Sequence, residues 1–282
     1  MKTNKKLFAF ALVAFMTASC FSGCGGSTAS SNDNSKTDAD NNKVTVKTMH
    51  DGKITFGAEM SYPPFESIAD DGKTPIGFDI DLGKEIGDRL GLEVEFINTA
   101  FDGILEGIDV NYDCVLSAVT ITDERKESCL FTQAYIDNYQ SVVVPKGSTL
   151  KITSLNDLDG KSVALQKMTT SDEVIEDLTG KGTISCTKVA QEKVTTCFTQ
   201  LSNGDVDVVL CDSMVADGYV LSEPDKYEIA FQDKTAPEQF GIAISKENTQ
   251  LQKAIDDVIT ELKEDGTLDD IYEKWFATNP TE

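Results

Sequence analysis

Hydrophobic residues first appear as one dense block at 7–18, behind a six-residue stretch, MKTNKK, that carries three lysines and no acid. A spanning helix needs roughly 20 apolar residues, so this block, with its small and polar end at Thr17-Ala18-Ser19-Cys20, predicts a secretory leader. Residues 25–43 are Gly, Ser, Thr, Asn and Asp with almost nothing apolar, and such a stretch predicts a tether. Beyond it the pattern switches repeatedly between two periods. Ile54-Thr55-Phe56 and Val163-Ala164-Leu165 read as short strands, and Val142-Val143-Val144 as one stopped by Pro145. Asp79 is expected to cap a helix with apolar positions Leu82, Ile86 and Leu90, ended by Gly91, after which alternating Leu92, Val94 and Phe96 mark a strand. The succession recurs as a short helix at 101–108, a strand at 113–119, a helix around Val174 and a strand at 207–210. Leu251, Ile255, Ile259 and Leu262 form a helical stripe closed by Gly266, and Thr267 with Asp270 resembles a capping box for a last helix that carries Trp275, the sole tryptophan, as a core anchor. Strands alternating with helices imply an α/β protein with parallel sheets covered on both faces. The roughly 240 residues after the tether suffice for one large domain or two lobes with separate cores.

A formal charge of −23 argues against nucleic acid as a partner, because a phosphate backbone demands a basic footprint. Strong acidity keeps an exported protein soluble and mildly favours cationic ligands at long range. Five cysteines lie in the folded part, Cys114, Cys129, Cys186, Cys197 and Cys211, with no C-x-x-C or zinc-like spacing. Neither a disulfide framework nor a metal site is implied, and the pairing of Cys186 with Cys197 stays open. Cys114 and Cys211 fall in apolar strand-like runs and are expected to be buried. No cofactor signature is present.

Several segments carry a resemblance when taken together. They are Glu59-x-x-Tyr62-Pro63-Pro64-Phe65, Gly77-Phe78-Asp79-Ile80-Asp81-Leu82, Thr120-Ile121-Thr122-Asp123-Glu124-Arg125, Gly204-Asp205-Val206-Asp207, Phe240-Gly241-Ile242-Ala243, and Asp265-Gly266-Thr267 followed by Lys274-Trp275-Phe276. In this order the chain resembles family 3 of the extracellular solute-binding proteins, the amino-acid receptors of ABC importers. The resemblance implies a two-lobed periplasmic-binding-protein fold of type II, each lobe a mainly parallel sheet flanked by helices, with two hinge strands between them. Lobe 1 is then 44–138 plus 236–282 and lobe 2 is 139–235. The segment Phe21-Ser22-Gly23-Cys24-Gly25-Gly26 resembles the lipobox of bacterial lipoproteins, with Cys24 lipidated and Cys20 the alternative. Residues 1–23 are then the leader and 24–43 the tether of a monomer held to the outer face of the cell membrane by lipid alone, with ABC permease subunits as its protein partners.

An amino acid carries a carboxylate, an ammonium and a side chain, so its site needs a cation with fixed donors, an anion and a shaped pocket. Arg125, just after the strand at 113–119, is expected to grip the carboxylate in a two-pronged fashion. The resemblance assigns Thr120 to the ligand's charged end, with help from Ser117 and the backbone at Ala118. It assigns Asp212, after the strand at 207–210, to the α-ammonium. Thr169 and Thr170 resemble the Thr-Thr turn that completes carboxylate capture at a helix N-terminus. The pattern breaks at Met168, which stands where relatives carry glycine; a side chain there restricts positive φ and is expected instead to wall the side-chain pocket. Tyr62 and Phe101 match the aromatic positions that sandwich the ligand side chain, and Glu59 the acid that meets a cationic head group, with a salt-bridged place at the rim as its alternative.

The expected function is therefore capture of a free amino acid, arginine or lysine first and a polar amino acid or cystine as the alternative. A rival class is a dehydratase-like enzyme on the same fold. Its needs are poorly met, since the only histidine, His50, lies near the tether and no Ser-His-Asp or Cys-His set can be assembled.

Overall fold

The computed structural model describes residues 46–276. The leader, Cys20, Cys24 and the tether therefore lie outside the described residues.

In chain order the principal elements are β1 (Lys53–Ala58), α1 (Phe78–Leu90), β2 (Glu93–Asn98), β3 (Cys114–Val115), β4 (Leu130–Phe131), β5 (Ile136–Pro145), β6 (Ser162–Gln166), α2 (Thr170–Gly180), β7 (Thr187–Gln191), α3 (Val194–Asn203), β8 (Val208–Asp212), α4 (Ser213–Ser222), β9 (Tyr227–Phe240), β10 (Ala243–Ile244), α5 (Thr249–Glu264) and α6 (Thr267–Phe276). They build two five-stranded sheets, ordered β2-β1-β3-β10-β4 and β7-β6-β8-β5-β9. The expected parallel pairing holds for one half of each sheet. β2, β1 and β3 run parallel, as do β7, β6 and β8, whereas β10 and β4, and likewise β5 and β9, join antiparallel. The antiparallel half arises because the chain leaves the first sheet through β5 and returns to it through β9.

The sheets are held by helices on both faces, as runs such as β1 and β8, buried along nearly their whole length, require. In the first, Ile54, Phe56 and Leu116 pack with Leu82 and Ile86 of α1 and with Ile255 and Ile259 of α5. Val115 and Ala243 face the other way, toward Ile104 and Tyr112. In the second, Val142, Leu165 and Leu210 meet Ile175 of α2, while Val143, Ala164 and Val209 meet Phe198 and Leu201 of α3.

Four local expectations are corrected. Asp79 does not cap α1; the helix starts from Gly77 at φ 139° without a side-chain cap, and a Cβ there would lie 2.0 Å from the carbonyl oxygen of Phe65. The helix expected at 101–108 is a three-residue turn, Leu105–Gly107, because Gly103 at φ 80° breaks the helical path and the Tyr112 ring presses on Gly107. The strand at 113–119 pairs as a ladder only over β3, since Ala118 at φ 46° turns the chain away. At the start of α6 the amide of Thr267 donates to Asp265 Oδ1 at 3.0 Å, so the capping acid precedes the helix and Asp270 makes no box. Trp275 is half-buried, and its Nε1–H donates to Asp81 Oδ2 at 2.8 Å, tying α6 to α1. Cys114, Cys129, Cys186, Cys197 and Cys211 are all unpaired thiols, and Cys114 and Cys211 are buried as expected. Among the described residues no helix is long and apolar enough to cross a membrane.

Candidate functional site

The C-terminal ends of the parallel strands point toward one another across the two sheets, the place where open α/β sheets put ligands. After β1 come Glu59 and Tyr62, and after β3 come Ser117, Ala118 and Thr120. β6 ends at Gln166 and leads through Met168 and Thr169 into α2, and β8 ends at Asp212. A narrow cleft, with about 10 Å³ of open space, is lined by Tyr62, Phe101, Ala118, Thr120, Arg125, Gln166, Thr169, Thr170 and Asp212. Eight of the eleven residues expected at the ligand thus share one cavity; Glu59, Ser117 and Met168 lie off its wall.

Arg125 sits on the one-turn helix Asp123–Lys126, whose cap is Thr122. Its Nη1 donates to the Thr120 carbonyl at 2.9 Å and its Nη2 to the Met168 carbonyl at 3.1 Å, with Glu173 3.8 Å away. The guanidinium carbon lies 5.8 Å from the centre of the Phe101 ring. A guanidinium has five N–H donors, so this anchoring leaves donors for the cleft. Asp212, at the far side, accepts from Tyr62 Oη, from Asn138 Nδ2 at 2.6 Å and from Gln140 Nε2 at 3.4 Å. Burial, and next the negative charge of Glu238, push its carboxyl up to about 7.

Thr169 caps α2, with its hydroxyl oxygen accepting from the Asp172 amide at 3.4 Å and its proton going to the Gln166 carbonyl at 2.7 Å. The amides of Thr170 and Ser171, in the first turn, have no acceptor among the described residues. Met168, expected to wall the side-chain pocket, is absent from the wall of this cleft but lines an adjoining hollow together with Phe101, Arg125 and Glu173. Its backbone takes φ 61°, the left-handed conformation that glycine would adopt, and the residue is 57% exposed. It offers its carbonyl to Arg125, at a strain cost of about 1–2 kcal/mol for a left-handed L-residue.

Glu59 and Ser117 are drawn into buried contacts. Glu59 accepts from Ser61 Oγ and, across the cleft, from Gln166 Nε2 at 3.0 Å, and burial pushes its carboxyl up to about 7. Ser117 accepts from the Glu59 amide at 3.0 Å and donates to Glu66 at 2.6 Å, so its hydroxyl proton is committed beneath the cleft. The amide of Ala118 is likewise committed, to Asp79 Oδ2 at 2.7 Å. Lys167 and Asp102 add an ion pair of 2.8 Å across the cleft.

Four polar residues at the site escaped the sequence reading: Gln166, Asn138, Gln140 and Glu238. The usable signal was in β5, where Asn138 and Gln140 alternate on one strand face yet are 0% and 3% exposed. Among the described residues no group of three or more His, Cys, Asp or Glu is placed to hold a metal ion.

With this geometry in hand, comparison with known proteins places the chain. Residues 54–278 match the model of the bacterial extracellular solute-binding proteins, family 3. The chain is 33% identical to ABC transporter arginine-binding protein 1 of Escherichia coli over 229 residues, 79% of this chain and 90% of that one. It is 30% identical to the ABC transporter glutamine-binding protein GlnH of Bacillus subtilis over 286 residues, 99% of this chain and all of that one. Among solved structures, a mutant of ArgBP from T. maritima superposes with a TM-score of 0.74 at 37% identity, covering 80% of this chain and 96% of that one.

Proposed function

Because the chain belongs to the bacterial extracellular solute-binding proteins, family 3, we propose that it captures a free amino acid between its lobes and delivers it to an ABC importer. The observation that carries this reading is that Arg125 and Asp212, a cation and an anion from different sheets, line one cleft. The α-carboxylate lies on the Arg125 guanidinium and the free amides of α2, and the α-ammonium on Asp212 and Thr120. Tyr62 and Phe101 flank the side chain.

The ligand is arginine or lysine. One guanidinium in the cleft faces Asp212 on its wall, with Glu59 and Glu238 just behind, and this excess of acid suits a ligand with a second positive charge. Glu59 meets that charge at the Gln166 side. Lobe 1 comprises 44–138 and 236–282 and lobe 2 comprises 139–235, with β5 and β9 as the hinge. Closure on the ligand is the state the importer reads, since a ligand touching both lobes favours the closed form. The protein acts as a monomer outside the cell, anchored through lipid on Cys24. It carries out no reaction; His50 is exposed and off the cleft wall.

Titration calorimetry against the twenty amino acids tests this. Arginine or lysine is expected to bind tightest, and Arg125→Ala to lose about 2–5 kcal/mol with either, because the ligand carboxylate is left desolvated and unpaired. Binding of no amino acid, or an unchanged Arg125→Ala affinity, overturns the reading.

A further inference from the structure

Glu238 lies on β9 directly opposite Asn138 of β5, at the point where the two hinge strands pair. It gathers donors from both sheets' sides of the cleft. Thr120 Oγ1, which follows β3, donates to its Oε2 at 3.3 Å, and Thr170 Oγ1, at the start of α2, donates to the same oxygen at 3.0 Å. Asn138 Nδ2 reaches that oxygen at 3.2 Å, and Gln140 Nε2 reaches Oε1 at 3.0 Å. The two amides are themselves oriented. Asn138 Oδ1 accepts from the Ser213 backbone amide at 2.9 Å, and Gln140 Oε1 accepts from Ser171 Oγ at 2.6 Å, so both NH₂ groups must face the acids. A hydroxyl has one proton and two lone pairs. With those protons committed to Glu238, Thr120 and Thr170 show the cleft only lone pairs, and Gln140 Nε2 already occupies one on Thr170 at 3.0 Å.

We propose that Glu238 is a positioning and specificity-determining residue of the site: from the hinge it ties Thr120 to Thr170 across the lobes and turns the Thr120 hydroxyl into an obligate acceptor beside Asp212. One end of the cleft is then built of acceptors alone, Asp212 and Thr120, and the other of donors, Arg125 and the first amides of α2. A zwitterion fits this polarity in one direction only. A carboxylate placed at the Asp212 end meets only donors already committed to the acids, those of Tyr62, Asn138 and Gln140, whereas an ammonium there finds an acceptor for its protons. The inference rests on the amino-acid reading for its ligand, but the tie between lobes does not.

The experiment combines titration calorimetry of wild type, Glu238→Ala and Glu238→Gln with small-angle X-ray scattering and melting of the ligand-free proteins. The probes are L-arginine and 5-guanidinopentanoate, the same molecule without its α-ammonium. Glu238→Ala is expected to weaken L-arginine by about tenfold or more but 5-guanidinopentanoate by less than about twofold, with Glu238→Gln between, because only the ammonium uses the acceptor that Glu238 orients. Ligand-free Glu238→Ala is also expected to show a larger radius of gyration than wild type. Unchanged L-arginine affinity with an unchanged radius overturns the proposal, as does equal weakening of both probes with a lowered melting temperature, which marks a structural role alone. Should wild type bind neither probe while Glu238→Ala still expands, the amino-acid reading fails and the interlobe tie stands; no expansion in that case refutes the tie as well.

Discussion

Asp212, Glu59 and Asp79 share an electrostatic predicament: burial pushes each carboxyl up to about 7. In the unfolded chain such groups titrate near 4, so between about pH 4 and pH 7 the native state holds protons that the unfolded state has released. Stability linked to these groups is therefore fully present at the acid end of that window and falls as the pH rises through it. The ligand-free protein is expected to melt at a higher temperature near pH 5.5 than near pH 8, and Asp212→Asn, whose amide does not titrate, is expected to shrink that difference. A difference unchanged in the Asn variant would remove Asp212 from the account. At this scale the charged anchors were legible, because Arg125 ends a recognisable motif and Asp212 follows a readable strand. Glu238 was not. It acquires meaning only when β5 and β9 pair and bring Asn138 opposite it, across 100 residues of chain. The backbone of Met168 was equally hidden, since sequence shows that a side chain replaces glycine but not that the backbone accepts the left-handed conformation regardless.

Among the elements, α2 does most to shape the donor end of the cleft. Its first turn is set by Thr169, which caps it and holds the Gln166 carbonyl at the end of β6. Thr169→Ala is expected to cost about 1 kcal/mol of stability, typical of losing such a cap, measured by urea unfolding with an unchanged slope. A cost near zero would mean that packing rather than the cap positions the turn. Long periodic elements were readable for a physical reason: α5 buries Leu251, Ile255, Ile259 and Leu262 on one face, and that burial repeats every turn. Short irregular ones were not. The segment at 101–108 has helical spacing of apolar residues, yet Gly103 at positive φ and the close approach of Tyr112 to Gly107 override it. The antiparallel halves of both sheets were also out of reach, because they depend on the chain's return through β9 rather than on any local pattern.

Across the whole molecule, polar contacts cross between the lobes around the cleft, among them Glu59 with Gln166, Tyr62 with Asp212, Arg125 with the Met168 carbonyl, Lys167 with Asp102 and Thr170 with Glu238. All of them surround the cavity, so an amino acid seated there adds its own bonds to both sides and shifts the balance toward closure. The two-lobed architecture was legible from six motifs in order, whereas Glu238, one of the acids that set the cleft's charge, came only from the folded chain. The most direct test is mass spectrometry of small molecules released by acid from the purified protein, alongside an Arg125→Ala, Asp212→Asn double variant prepared identically. The wild type is expected to release arginine or lysine and the variant none. Equal release from both, or a released molecule without an ammonium and a carboxylate, would contradict the account.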